Sequence, residues 1–304
     1  MQAVVTNVVV SHLASGDAFF SGSALLVLAV FVATAFRGGW LRWARNFCLM
    51  LGAILVTLSV TPLPRWAYVL LTLVTLAWLL MQASQRVSSK WRHVTAACTV
   101  FGWLAAVAWE VPYHLRPELP VVASPALGVI GDSVTAGMQI GENEPETWPR
   151  ILARARHIRV NDQSQPGAKC ASALKQAALL TPADTIVVME IGGNDLLGTT
   201  STADFERDLQ TLLSEICRPG RTVVLFELPL LPFCQGYGRA QRQLCREHGV
   251  YLIPKHVLLG VLRAGGATID SIHLTAAGQE RLADETWRVI GPEFETLPKQ
   301  QPGN

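Results

Sequence analysis

Residues 126–137 read Ala126-Leu127-Gly128-Val129-Ile130-Gly131-Asp132-Ser133-Val134-Thr135-Ala136-Gly137. The first half is an unbroken apolar run, the pattern of a strand buried on both faces of a parallel sheet. At Gly131 the chain turns polar, which puts a serine at the carboxyl end of that strand. Open α/β sheets carry their chemistry on that edge. Glycine on both sides allows a sharp turn and close approach of another molecule. Gly, Asp and Ser are also ordinary turn and cap residues, so the weight of this stretch depends on the rest of the chain.

Downstream, strand-like and helical patterns alternate. Strands are expected at Leu127–Ile130, Ile158–Asn161, Thr185–Ile191, Thr222–Glu227 and Val250–Ile253, with helices near 146–156, 168–179, 203–217, 238–248 and from about Thr275 to Ile290. Such alternation predicts a five-stranded parallel sheet covered by helices, an α/β domain over 126–292 followed by a C-terminal tail, 293–304.

Upstream the chain is of another kind. Of 25 Lys and Arg and 23 Asp and Glu, residues 1–115 hold seven basic and two acidic, leaving 18 and 21 for the remainder. The first part is therefore net +5 and the second net −3. Four uncharged runs, Ala18–Phe36, Asn46–Pro64, Trp66–Gln85 and Val94–Trp109, approach the ~20 residues that a membrane-spanning helix needs. Expected spans are 18–36, 46–64, 66–85 and 93–110, an all-α transmembrane region. Trp40, Trp43, Trp66, Trp91 and Trp109 stand near run ends, as interfacial anchors do. Arg37, Arg42 and Arg45 in the first connection, with Arg86, Lys90 and Arg92 in the third, place those two loops in the cytoplasm. Everything after the fourth run then lies on the periplasmic or extracellular side. No Asp, Glu, Lys or Arg interrupts a run, so the helices read as an anchor, with a surface for self-association or a membrane partner, rather than as a transport pathway. Pro112, Pro117, Pro120 and Pro125 mark 111–125 as a stiff, extended linker. No basic patch interleaved with aromatics points to nucleic acid.

Four clusters fall at or after strand ends: Gly131-Asp132-Ser133, Ser164-Gln165-Pro166-Gly167, Gly192-Gly193-Asn194-Asp195 and Asp270-Ser271-Ile272-His273. On one sheet edge they form a kit for acyl transfer. Ser133 is a nucleophile once a base takes its proton. His273 can be that base, since the unperturbed pKa of an imidazole lies near neutrality, and Asp270, three residues earlier, can hold the other ring N–H. The Ser133 and Gly167 backbone N–H groups and the Asn194 side chain offer three oxyanion donors. Asp132 is expected to cap the turn after it, while Gly193 and Asp195 support the loop carrying Asn194. The other histidines have no acidic or cysteine partner at ligand spacing, so neither a metal nor another cofactor is expected. Cys234 and Cys245 flank a polar segment in a part placed outside the cytoplasm, and a disulfide is expected between them. Cys170 and Cys217 could pair or stay free.

The order and spacing of GDSVTAG at 131–137, the glycine at 167, GGND at 192–195 and DSIH at 270–273 resemble SGNH/GDSL-type serine hydrolases over residues 126–290. The resemblance implies a flavodoxin-like, three-layer α/β/α fold. It also implies Ser133, Asp270 and His273 as the catalytic triad and Ser133, Gly167 and Asn194 as the oxyanion hole. The helix beginning at Trp148 is similar to members that act as thioesterases and lysophospholipases. The absence of a Gly-x-Ser-x-Gly elbow argues against the larger α/β-hydrolase fold. The expected activity is hydrolysis of acyl esters on cell-envelope glycans or lipids, next to the bilayer. Acyl or acetyl transfer to an envelope polysaccharide is the alternative, and a non-catalytic envelope-binding module is a third reading.

Overall fold

The computed structural model describes residues 2–35, 39–84, 86–122, 124–138 and 145–295. Expectations for Phe36, Arg37, Gln85 and 296–304 lie outside them. The chain divides into two units. One takes in the helices as far as His114 together with Leu231–Gln235, and the other holds Leu115–Leu230 and the chain from Gly236 on.

The helical unit consists of α1 (Gln2–Ala14), α2 (Asp17–Ala35), α3 (Gly39–Leu58), α4 (Arg65–Ala83) and α5 (Ser89–Glu110), closed by a 3₁₀ turn at Val111–His114. Four segments, Asp17–Ala35, Trp40–Leu58, Arg65–Ala83 and Ser89–His114, are long and apolar enough to cross a membrane by length and composition. At ~1.5 Å per residue, the 19-residue helices reach ~28 Å, close to the thickness of a hydrocarbon core. α2 and α3 meet at two glycines. A Cβ on Gly22 would lie 2.8 Å from the Gly52 carbonyl oxygen, and one on Gly52 would lie 2.9 Å from the Gly22 oxygen. Small residues let backbones approach this closely, which is how apolar helices associate without a hydrophobic driving force. α4 and α5 add a polar link, Trp103 Nε1 donating to Thr75 Oγ1 at 3.1 Å. Phe31, Leu73, Leu80 and Phe101 point outward.

Two spans differ from expectation. α3 covers 39–58 rather than 46–64, so Arg42 and Arg45 lie inside its first turns. It stops ahead of Pro62 and Pro64, which cannot supply helical N–H donors; Ser59–Leu63 is buried, non-helical chain instead. The fourth helix begins at Ser89 and so has 22 residues, longer than the 93–110 expected. α1 has no counterpart in the sequence reading.

In the second unit the order is β1 (Leu127–Gly131), α6 (Ser133–Ala136), α7 (Trp148–Arg156), β2 (Val160–Asp162), α8 (Cys170–Ala177), β3 (Ile186–Glu190), α9 (Gly193–Leu197), α10 (Thr202–Ile216), β4 (Thr222–Phe226), α11 (Gln235–His248), β5 (Tyr251–Ile253), α12 (Lys255–Arg263) and α13 (Ala276–Glu295). The five strands are all parallel, in the order β2-β1-β3-β4-β5. This is the flavodoxin-like order, and it reverses direction between β1 and β3, where such sheets open a crevice at their carboxyl ends.

Leu127, Val129, Ile186, Val188, Val224, Phe226 and Ile253 form one core with Trp148 and Leu152 of α7, Val257, Leu258 and Val261 of α12, and Leu282, Val289 and Ile290 of α13. The alternate strand residues Ile130, Val187, Met189, Val223 and Leu225 are buried as well. That face belongs to α8 and α10, which pack on each other and bury Ala173, Phe205, Leu209 and Leu212.

Three buried glutamines brace the strand ends. Gly131 N–H donates to Gln176 Oε1 and Gln176 Nε2 donates back to the Gly131 oxygen, both at 3.0 Å. Gln241 binds the Leu228 N–H and the Phe226 oxygen in the same way. Gln279 accepts from Trp148 N–H at 2.8 Å and donates to the Val134 oxygen at 3.2 Å. Gln176 and Gln241 thus serve backbone groups at the ends of β1 and β4, and Gln279 ties α6 to the start of α7.

Three further expectations are corrected. The linker is not a free connector: from Leu115 it belongs to the second unit, Arg116 pairs with Glu285, and Val122 N–H donates to Glu293 Oε2 at 3.1 Å. Residues 293–295 belong to α13 rather than to a tail. Cys234 and Cys245 are free thiols. Cys245 lies ten residues beyond Gln235 along α11, ~15 Å of helix, whereas a disulfide tolerates ~7 Å between Cα atoms. Cys245 is also buried, and burial pushes its thiol well above the usual range.

Candidate active site

The crevice at the β1/β3 switch point receives the first three clusters. β1 ends at Gly131, where a Cβ would sit 2.6 Å from the Thr135 side chain, so no other residue fits. Asp132 then caps α6, its Oδ1 accepting from Val134 N–H at 2.9 Å. Ser133 opens α6. Among the described residues, neither its N–H nor its Oγ is engaged in a hydrogen bond.

The second cluster continues beside β1. Gln163 N–H donates to the Val129 oxygen at 3.0 Å and Gln165 N–H to the Gly131 oxygen at 3.1 Å. The chain then turns over Gln165–Ala168, closed by Ala168 N–H to the Gln165 oxygen at 3.2 Å. Proline at the second place and glycine with φ +74° at the third make the pattern of a type II turn. Gly167 is needed here for its backbone, not for space, because a Cβ would meet nothing within 4 Å. Its N–H is unspent among the described residues.

The third cluster begins with Gly192 at φ +105°. Asn194, in the first turn of α9, links the other two loops. Its Nδ2 donates to Asp132 Oδ2 at 3.1 Å and to the Ala168 oxygen at 3.0 Å. Gly193 allows this approach, since a Cβ there would lie 3.3 Å from Asp132 Oδ2. Asp195 is buried and accepts from Cys170 N–H at 2.9 Å, capping α8.

The fourth cluster forms a closed loop before α13. An antiparallel bridge joins Thr268 to Leu274, and Ile269 N–H donates to the His273 oxygen at 2.8 Å. Within it Asp270 Oδ1 accepts from His273 N–H at 2.9 Å and from Ile272 N–H at 3.1 Å, and Oδ2 stands 2.6 Å from His273 Nδ1. Ser271, at φ +79°, makes the turn that brings them together. The backbone N–H of His273, its ring and the Ile272 N–H lower the Asp270 pKa to about 2. An ionised Asp270 makes Nδ1 the donor and leaves Nε2 as the basic nitrogen. Among the described residues no hydrogen bond yet joins Nε2 to Ser133 Oγ; such bonds often tighten only when substrate is bound.

Sequence reasoning missed one group at this site, Glu190. It ends β3, is buried, and accepts from Thr135 Oγ1 at 3.1 Å. Thr135 in turn accepts from Trp148 Nε1 at 3.2 Å. The signal was present as a lone carboxylate closing the apolar run Ile186-Val187-Val188-Met189. Among the described residues no group of three or more His, Cys, Asp or Glu is arranged to hold a metal ion.

Comparison with known proteins now identifies the domain. The model of the GDSL-like lipase/acylhydrolase family matches residues 129–281, half of the chain. The chain belongs to that family. Esterase TesA of Pseudomonas aeruginosa is 27% identical over 183 residues, covering 56% of this chain and 90% of that protein. Among solved structures, TesA aligns at 25% identity and a TM-score of 0.48 over 55% of this chain and 99% of its own. The psychrotrophic esterase EstA from Pseudoalteromonas sp., inhibited by monoethylphosphonate, aligns at 19% and 0.49 over 56% and 99%. The GDSL-family chain described here is therefore a hydrolase of the esterase/lipase type. The matched region begins after α1–α5 and the 3₁₀ turn that follows them.

Proposed function

We propose that this GDSL hydrolase is a membrane-anchored serine esterase that removes acyl groups from cell-envelope glycans or lipids. The carrying observation is the Asp270–His273 pair at 2.6 Å, which leaves Nε2 as the base, in one domain with an unengaged Ser133 at the switch point. In the first half-reaction Nε2 takes the Ser133 proton, Oγ attacks the ester carbonyl, and the resulting imidazolium, held by Asp270, protonates the leaving alcohol. In the second, water replaces the alcohol: Nε2 takes its proton, the acyl–Oγ bond breaks and Ser133 regains a proton.

The tetrahedral oxyanion would be met by the unspent N–H groups of Ser133 and Gly167. The Asn194 amide joins them by giving up one of its two present acceptors, an exchange favoured by the stronger hydrogen bond that a full negative charge accepts. No cofactor is required. The four apolar helices support anchorage, and the arginines of the first and third connections support placing the hydrolase domain on the periplasmic or extracellular side.

Two measurements test this reading. The full chain in detergent should react with a fluorophosphonate and release nitrophenol from nitrophenyl acetate with a burst, both abolished in Ser133→Ala. Persisting turnover in that variant would overturn it. In sealed spheroplasts, an added protease should cleave the domain while the outer face alone is exposed; full protection would refute the orientation.

A further inference from the structure

Behind Ser133 two carboxyl groups are buried against each other. Asp132 and Glu190 are each 2% exposed, Asp132 N–H donates to the Glu190 backbone oxygen at 3.2 Å, and the two carboxyl groups are placed to share a hydrogen bond. Two carboxylates cannot share one unless a proton lies between them. The neighbours indicate which group carries it. Asp132 already accepts from Val134 N–H and from Asn194 Nδ2, two donors that a carboxylate holds more strongly than a neutral acid does. Among the described residues, the Glu190 side chain accepts only from the Thr135 hydroxyl, which itself accepts from Trp148.

We propose that Glu190 is a positioning residue for the hydrolase: as a neutral carboxylic acid it donates to Asp132 and fixes the carboxylate that holds both the Asn194 amide and the turn behind Ser133. The hydrogen bonds then run in one direction, from Trp148 to Thr135, to Glu190, and from Glu190 to Asp132. Burial and the adjacent Asp132 charge both raise the Glu190 pKa well above the usual carboxylate range. Burial is likewise the largest influence on Asp132, raising it, against the lowering bonds from Val134 and Glu190. Two other titratable groups reach Asp132: His273 lowers its pKa and Asp195 raises it. The state that works has one proton on the pair. When pH rises far enough to remove it, two charges face each other in a dry site, Asp132 is pushed off, and Asn194 loses its anchor.

This inference rests on the proposed roles of Ser133 and Asn194, and the test separates the two. Glu190→Gln keeps the shape, donates to Asp132 through its amide, accepts from Thr135, and has no proton to lose. Profiles of kcat and KM against pH on nitrophenyl acetate should show an alkaline fall of about tenfold or more in the wild type that is absent in E190Q, with E190Q within about threefold of wild type at neutral pH. Glu190→Ala should lower kcat by about 10²-fold, the usual worth of an oxyanion donor, with KM changed far less. Infrared difference spectra of the full chain, which need no turnover, should show a protonated-carboxyl stretch that persists above neutral pH in the wild type and is missing in E190Q. An alkaline fall equal in E190Q and wild type, equal losses in E190Q and E190A, or absence of the infrared band would each overturn the proposal. Activity surviving in Ser133→Ala would instead overturn the nucleophile while the band still reported the buried acid.

Discussion

The two halves of the candidate site are built in opposite ways. The nucleophile side is deep and braced from several directions: Asp132, Thr135, Trp148 and Glu190 are all essentially buried, and Gln176 and Gln279 tie the ends of β1 and α6 to distant helices. The base side is exposed, with Asp270 at 49% and His273 at 26%, and its geometry comes from bonds made within a few residues of itself. Donors aimed at developing charge must not reorganise during the reaction, so their side has rigid, remote supports. A base that takes and returns protons needs access to substrate and water, and a short carboxylate bond is enough to keep its tautomer.

The contrast predicts how each half fails. Ser133→Ala and His273→Ala should each lower kcat by about 10⁴-fold or more, and the double variant by little beyond either alone. Their thermal midpoints should stay near wild type, because the Ser133 side chain has no hydrogen bond among the described residues and the His273 ring bonds only to the exposed Asp270 of its own loop; a large drop in midpoint would blur the two halves. Asn194→Ala should lower kcat by about 10²–10³-fold and also destabilise the fold, since Asp132 and the Ala168 oxygen both lose a partly buried donor. A midpoint unchanged in that variant would show the bracing to be idle.

Asp270→Asn should cost less, about 10²-fold or below, because an exposed imidazolium is partly stabilised by solvent. In the wild type the Asp270 pKa is depressed to about 2. Its contribution to stability is therefore present above the ordinary carboxylate pKa of ~3.9 and is lost only as pH falls towards 2. Asp270 therefore stays ionised between pH 7 and 4, and D270N should not abolish an acid limb of the activity profile in that range. Gly167→Ala should be smaller still, about 1–2 kcal/mol of stability from the left-handed backbone alone, because the space for a methyl group is open. A midpoint shift much beyond that, followed by thermal denaturation, would mean that Gly167 is packed rather than merely turned.

Much of this was legible in the sequence, for reasons that differ between regions. The buried strands showed themselves as apolar runs, and Ser133, Asn194, Asp270 and His273 stood out because each lies in a short motif at a strand or helix end. The supports did not. Gln176 bonds to Gly131 across 45 residues and Gln279 to Val134 across 145, and a glutamine in an amphipathic helix carries no local mark of such a contact. Glu190 was hidden by its run, whose pattern predicts burial but not what a lone carboxylate does there. α12 was missed because Lys255–Arg263 is short and contains Gly260, so tertiary burial of Val257, Leu258 and Val261 decides its form. The start of α3 was misplaced because charge was taken to end a membrane helix, whereas Arg42 and Arg45 ride on its first turns.

The loop that carries Asp270 and His273 has a consequence for the catalytic cycle. It is closed at its base by the Thr268–Leu274 bridge, and every bond that orients the imidazole lies inside that closure. Any displacement that brings Nε2 to Ser133 Oγ, or withdraws it while a bulky product leaves, carries the carboxylate along with the ring. The base can therefore be engaged and disengaged as a cartridge, with its tautomer set before it arrives.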